Sequence, residues 1–227
     1  MATKSPSNLV FVYDYSKHSS LPTDNIARPQ HKCSGHSAEG YGLCWNPHVE
    51  GQLLSGSDDA AICLWDIREA GLDVAALQTR RAHTSVVEDV DWHRFNPHLF
   101  GSVGDDAQLL LWDARQQNNT PATTKRNAHA DDVNCLSFNP YNEFLLATGG
   151  GDSMVNLWDL RKMDSYMHQL EGHREGVYQV FAAFFVCVCV RARLILFSLI
   201  YLFSSSLYTS PPPPPPLSLS LIPLSAR

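Results

Sequence analysis

Along the first 180 positions the apolar residues come in short runs separated by Gly, Asp, Asn and Pro, with no helical spacing sustained anywhere. In one stretch the pattern predicts strands at Gly42 to Trp45, Gln52 to Ser55 and Ala61 to Trp65, broken by Asn46-Pro47 and by Gly56-Ser57-Asp58-Asp59. Runs such as Ile62-Cys63-Leu64-Trp65 and Leu109-Leu110-Leu111-Trp112 are apolar at every position rather than at every second one. Strands of that kind are covered on both faces, so the sheets they form must be stacked between neighbours.

The runs repeat. A His is followed 29 residues later by Trp-Asp three times, from His36 to Trp65, His83 to Trp112 and His129 to Trp158. Inside each interval a Ser or Thr stands at His+19 (Ser55, Ser102, Thr148), an Asp at His+23 (Asp59, Asp106, Asp152) and an aromatic at His+9 (Trp45, Trp92, Phe138). Successive His residues are 47, 46 and 44 positions apart, ending at His173. That period and signature are those of four-stranded propeller blades, and they give an all-β fold with repeats at 36–82, 83–128 and 129–172. Residues 2–14 align without gaps on 147–159, so 1–35 reads as a partial blade and its connection, and 173–180 as the start of a further repeat. The expected architecture is therefore an incomplete propeller of three full blades with partial blades at both ends, the chain starting inside a blade.

His, Ser and Asp within each unit resemble a hydrolase triad in composition only. A triad occurs once per active site, whereas this set recurs in every repeat, which marks a structural network. The loop His is expected to bridge the strand Ser or Thr and the turn Asp, with the Trp indole as the remaining donor. The residues of this network are His36, Ser55, Asp59 and Trp65; His83, Ser102, Asp106 and Trp112; and His129, Thr148, Asp152 and Trp158. Gly149-Gly150-Gly151 falls in a turn between strands, not before a helix, and so is no dinucleotide fingerprint. None of the six cysteines forms a CxxC pair. The chain is expected to be no enzyme, with no catalytic residue, cofactor or metal.

Charge separates the two parts of the chain. All 23 acidic residues precede position 176, whereas Arg191, Arg193 and Arg227 are the only charges after it. The repeat region is acidic, which disfavours direct nucleic-acid binding and favours basic partners. Residues 181–227 abandon the repeat for VCVCVRAR, six prolines from Pro211 and LSLSL, which read as translated dinucleotide and pyrimidine tracts of an intron. Their apolar stretches are split by Arg191 and Arg193 and are each shorter than the roughly 20 residues of a span, so no membrane anchor is expected.

The segments GYGLCWNP, LLSGSDDAAICLWDI, VVEDVDWH, LFGSVGDD and DVNCLSFNPYNEFLLATGG resemble the retinoblastoma-binding, MSI1-like family of histone-binding WD40 proteins, from residue 2 to residue 180. The resemblance implies a presumed seven-bladed ring, of which this chain would hold the middle blades only, serving as a nuclear, non-catalytic scaffold subunit of chromatin assembly, remodelling, deacetylase or Polycomb complexes. It also implies an acidic propeller face that takes the basic histone H3 tail, carried here onto Glu39, Tyr41, Glu88, Asp132, Asn134, Glu175 and Tyr178. The family's histone H4 site is a clamp between an N-terminal helix and an acidic insertion, neither of which is in this sequence. A WDxR motif in each unit places Arg68, Arg115 and Arg161 where some propellers dock on the adaptor of cullin-four ubiquitin ligases, the alternative function.

Overall fold

A computed structural model describes residues 1–18, 21, 24, 26–68 and 71–181, and the backbone of 186–188. The expectations for 182–227, the intron-like tail among them, otherwise lie outside the described residues.

The strands, in chain order, are β1 (Ala2–Lys4), β2 (Val10–Val12), β3 (His31–Ser34), β4 (Leu43–Trp45), β5 (Gln52–Gly56), β6 (Ile62–Asp66), β7 (Asp73–Ala75), β8 (Gln78–Arg80), β9 (Val87–Trp92), β10 (Leu99–Gly104), β11 (Leu109–Asp113), β12 (Thr123–Lys125), β13 (Val133–Phe138), β14 (Leu145–Gly150), β15 (Val155–Asp159), β16 (His168–Leu170), β17 (Gln179–Phe181) and β18 (Val186–Val188). Three antiparallel sheets are complete: β4-β5-β6-β8, β9-β10-β11-β12 and β13-β14-β15-β16. A fourth consists of β1-β2-β3 joined in parallel by β7, and β17 pairs with β18. The fold is an all-β stack of four-stranded blades, the architecture expected from the repeat.

The uninterrupted apolar strands divide their side chains between two cores. On β6, Ile62 and Leu64 pack with Val90, Trp92, Phe100, Leu110 and Trp112 of the next sheet, while Cys63 and Trp65 pack with Val10, Val12, Cys33 and Val74 of the preceding one. On β11, Leu110 and Trp112 face backward, and Leu109 and Leu111 face Val133, Leu136, Phe138 and Trp158. The buried apolar side chains of these strands thus form clusters that each span two neighbouring sheets. The sheets approach closely because small residues line the contact: a Cβ on Gly56 would stand 2.6 Å from Val87 Cγ1 of the next sheet, and one on Gly101 would stand 2.6 Å from Leu136 Cδ1.

Two features were not legible in the repeat. The connection after β6 contributes β7, which covers the outer edge of the first sheet, with Val74 buried. On β9, Asp89 and Asp91 turn toward the next sheet, where Asp89 Oδ2 accepts the Leu136 amide (3.1 Å) and Asp91 Oδ2 the Phe138 amide (3.0 Å). Asp91 Oδ1 also takes the Cys44 thiol (3.2 Å) and the Arg94 guanidinium (3.1 Å), so one carboxylate ties three consecutive innermost strands. Burial pushes the Asp89 carboxyl up to about 7 and raises that of Asp91 too, although the amide bonds pull each back down.

The aromatic column offers a test of this packing. Trp92 and Trp112 are both fully buried, but Trp112 Nε1 donates to Ser102 Oγ (2.9 Å) whereas Trp92 Nε1 has no hydrogen-bond partner. Trp112→Phe should therefore cost more than Trp92→Phe by about 1–3 kcal/mol, since an orphaned buried polar group carries a penalty of that size. Urea midpoints of the two variants check it, and equal losses would mean that the indole bond contributes nothing.

Candidate functional site

The loop entering each innermost strand meets the turn between the second and third strands of the same sheet, and the repeated His joins them. His83 Nε2 lies 2.7 Å from Ser102 Oγ, its Nδ1 lies 3.0 Å from both Asp106 oxygens, and Trp112 Nε1 closes the set on Ser102. The third unit repeats this: His129 Nε2 to Thr148 Oγ1 at 2.8 Å, Nδ1 to Asp152 Oδ1 at 3.0 Å, and Trp158 Nε1 to Thr148 Oγ1 at 2.8 Å. The Asp also accepts backbone amides, from Thr84 and Gln108 in one unit and from Ala130 and Met154 in the other.

The first unit departs from this arrangement. His36 holds Ser55 at 2.7 Å but Asp59 only at 3.3 Å, and Trp65 Nε1 donates to the Ser34 carbonyl (3.0 Å) instead of Ser55. The residue before His is the reason. Gly35 adopts φ +151, open to glycine, and a Cβ there would crowd Ala76 at 3.0 Å and Cys63 Sγ at 3.2 Å. Units two and three have Ala82 and Ala128 at this position, and their indoles turn to the hydroxyl.

Electrostatics within the network follow burial and bonding. Burial lowers the basicity of His36, helped by the Lys4 ammonium, and lowers that of His129. Burial pushes the Asp59, Asp106 and Asp152 carboxyls upward, yet the amide and imidazole bonds outweigh it and leave all three below the ordinary value. The sets of His83 and His129 are completed by backbone amides on the Asp and an indole on the hydroxyl.

Beside these turns lie the acids assigned to peptide binding. Glu39 and Tyr41 are exposed, Tyr41 at 75%, and Tyr178 is exposed at 57% on the last unit. Glu88 is half-buried and stands against Asp105, with Asp58 and Asp132 close enough to act on it. Burial first, and then the Asp105 carboxylate, push the Glu88 carboxyl up to about 7; Asp105 is raised by burial and by Asp132. Asn134 is less free, since its Nδ2 donates to the Val177 carbonyl (3.1 Å). Glu175 is exposed on the last loop.

Two acids of this face were missed in the sequence. Asp58 and Asp105 each precede a network Asp, and their amides bond the carbonyls of Glu39 (2.9 Å) and Val86 (3.1 Å), which sets them beside the His+3 and His+5 positions. The doubled Asp of GSDD and VGDD was the available signal. Lys4, also unassigned, points its ammonium at the Gly56 carbonyl beneath this rim; burial lowers it to about 8 against the pull of Asp59.

At the opposite end of the strands, each WDxR arginine is clamped by its own motif aspartate. Arg68 holds Asp66, Arg115 holds Asp113 at 2.6 Å and Arg161 holds Asp159 at 2.6 Å. The guanidinium bond holds the Asp113 and Asp159 carboxyls at about 2. Arg161 also lies over the Phe144 ring, 4.5 Å from its centre. Among the described residues no His, Cys, Asp or Glu cluster could hold a metal ion, and no helix is long and apolar enough to cross a membrane.

Two outcomes follow for the network. His83→Ala leaves Ser102 and Asp106 without their shared partner and should cost about 1–3 kcal/mol in chemical denaturation. The imidazoles also contribute stability that is lost as pH drops below about 6.5, because the unfolded chain takes up protons on His36 and His129 at the ordinary value while the folded chain resists; Glu88 and Asp89, held near 7 in the folded chain, contribute the opposite slope over the same window. Melting a Glu88→Gln, Asp89→Asn chain between pH 7.5 and 5.5 isolates the imidazole part, and a midpoint that stays level through that window overturns it.

Comparison with known proteins agrees with this geometry. Residues 27–66, 75–113 and 121–159, more than half of the chain, match the WD domain, G-beta repeat family. The fold is also similar to a chain in a solved structure described as "Crystal Structure of Mitotic Checkpoint Complex", with a TM-score of 0.63 and 27% identity over 78% of this chain and 48% of that one. This chain spans about half the length of the solved chain it matches. WD40 domains are generally non-catalytic interaction scaffolds. With three matched repeats, the chain belongs to the WD domain, G-beta repeat family.

Proposed function

We propose that the chain is a non-catalytic histone-binding scaffold that acts in the nucleus within chromatin complexes and takes the basic histone H3 tail on its acidic rim. The observation that carries this reading is the crowding of Glu88, Asp105, Asp58 and Asp132 at the mouth of the innermost strands, where burial first and then the neighbouring carboxylates raise the Glu88 carboxyl to about 7. Like charges held together in a partly dry place are relieved by an incoming cation. Tyr41 and Tyr178, exposed beside them, offer faces for the aliphatic stem of Lys or Arg. The sequence resemblance to MSI1-like proteins supports histones as the source of that cation.

Calorimetric titration with an H3 N-terminal peptide tests the reading. Glu88→Gln and Asp132→Asn should each weaken binding by about 1.5–3 kcal/mol, as partly desolvated charge-assisted pairs do, and the exposed Glu39→Gln by about 0.2–1 kcal/mol. Melting temperatures should stay nearly unchanged. Wild-type affinity should rise from pH 6 to pH 8, because a bound cation favours the ionised Glu88 and free Glu88 is still partly protonated near 7. A triple variant that binds as tightly as wild type, with the same salt slope, would reduce the rim to a solvated surface.

A further inference from the structure

In the three complete sheets, the loops that lead from the innermost strand to the second strand share one length and one bonding pattern. They are 46–51, 93–98 and 139–144, and they lie beside the WDxR turns, where the amides of Ile67, Ala114 and Leu160 bond the carbonyls of Gly51, His98 and Phe144. The first amide of each loop bonds the carbonyl at which the next strand begins: Asn46 to Gln52, His93 to Leu99 and Asn139 to Leu145, all at 2.9 Å.

The first side chain of each loop caps the turn that follows. Asn46 Oδ1 accepts the amides of His48 (2.9 Å) and Val49 (3.2 Å), and Asn139 Oδ1 accepts those of Tyr141 (2.8 Å) and Asn142 (3.0 Å). In the second loop an imidazole stands in place of the carboxamide, and His93 Nδ1 accepts the amides of Phe95 (3.1 Å) and Asn96 (2.8 Å). The other ring nitrogen, Nε2, donates to the Glu143 carbonyl of the next loop (2.8 Å), while His48 Nε2 of the preceding loop donates to the His93 carbonyl (3.2 Å). These partners assign the tautomer, because two N–H groups need the lone pair of Nδ1 and a carbonyl needs the proton of Nε2. The ring is buried, edge-on to Phe138 with 5.1 Å between centres.

We propose that His93 is a proton-operated latch: acid opens the loop between β9 and β10, while the Asn-capped loops on either side stay closed. A carboxamide keeps its cap at any pH near neutral, whereas an imidazole ordinarily takes up a second ring proton between pH 5 and 8. On His93 that proton goes to Nδ1, where it removes the acceptor and sets a new N–H against two others, so the proton and the cap exclude one another. The Nε2 bond to Glu143 survives, and the break falls on the turn itself. The titratable and charged groups on the elements around the ring are Asp91 and Arg94, paired at 3.1 Å, and His98 on its own strand and loop, His48 and Glu50 on the preceding loop, and Glu143 on the next. None of them bonds Nδ1. Arg94 follows His93 directly, so the cap also keeps in place one partner of the Asp91 carboxylate that ties three innermost strands.

Nuclear magnetic resonance on the isotope-labelled full chain tests the latch. At pH 7.5 the His93 ring should carry its proton on Nε2; at pH 5.5 Nδ1 should be protonated too, and exchange protection of the Phe95 and Asn96 amides should fall about tenfold, on the order of one hydrogen bond. The Val49 and Asn142 amides, capped by Asn46 and Asn139, should keep their protection, which separates the latch from a general loosening. In a His93→Asn chain the Phe95 and Asn96 amides should stay protected at both pH values. His36 and His129 are present in both chains, so the difference belongs to His93. A ring that stays neutral at pH 5.5, a protonated ring with both amides still protected, or an equal loss at Val49 and Asn142 overturns the proposal. The comparison of the three loops within one chain decides it even where His93→Asn does not fold.

Discussion

A sheet that is apolar on both faces is stable only between two other sheets, and the rest of this structure follows from that requirement. Ile62 and Leu64 need the next sheet as much as Cys63 and Trp65 need the preceding one. Stability in such a stack is distributed over interfaces, as in other repeat arrays, and not gathered in a central core. The same requirement explains the small residues at Gly56 and Gly101, which let sheets approach to contact, and the carboxylates of Asp89 and Asp91, which bond amides of the neighbouring sheet where side chains alone could not align the sheets.

The network at the strand ends fixes what stacking leaves open. Sheet packing by apolar residues is weakly directional, whereas the bonds of His83 to Ser102 and Asp106 are directional at both ends of one ring. They hold the loop before each innermost strand to the turn of the same sheet, so that residues three and five positions after the His are presented at a constant place. A rigid buried device thereby positions a variable surface, which is the usual division of labour between scaffold and binding loop.

How much of this was legible in the sequence depended on whether both partners of an interaction recur at fixed spacing. His83, Ser102, Asp106 and Trp112 do, and spacing alone brought them together. Asp89 and Asp91 could not be found in this way, because their partners are main-chain amides 47 positions onward, which leave no trace in residue identity. β7 was hidden for a related reason: it pairs in parallel with β3 of another sheet, outside the repeat. The altered bonding of Trp65 rests on Gly35, whose significance lies in its backbone angle and in the nearness of Ala76 and Cys63, properties that only the folded chain displays.

The doubled aspartates show how one short sequence supplies both structure and surface. Asp105 and Asp106 are neighbours, yet Asp106, met by the His83 ring and the Thr84 and Gln108 amides, is held below the ordinary carboxylate value, while Asp105, facing Glu88 and Asp132, is held above it. Successive residues in the turn point to opposite sides, so one carboxylate is satisfied by donors inside and the other is left among acids outside. The inner one has no need of a ligand. Asp105, with Glu88 and Asp132, keeps a repulsion that a cation, in the proposed reading one from a bound peptide, would relieve. The folding device and the recognition device thus use the same residue type one position apart, and the direction of the charge, not its presence, separates them.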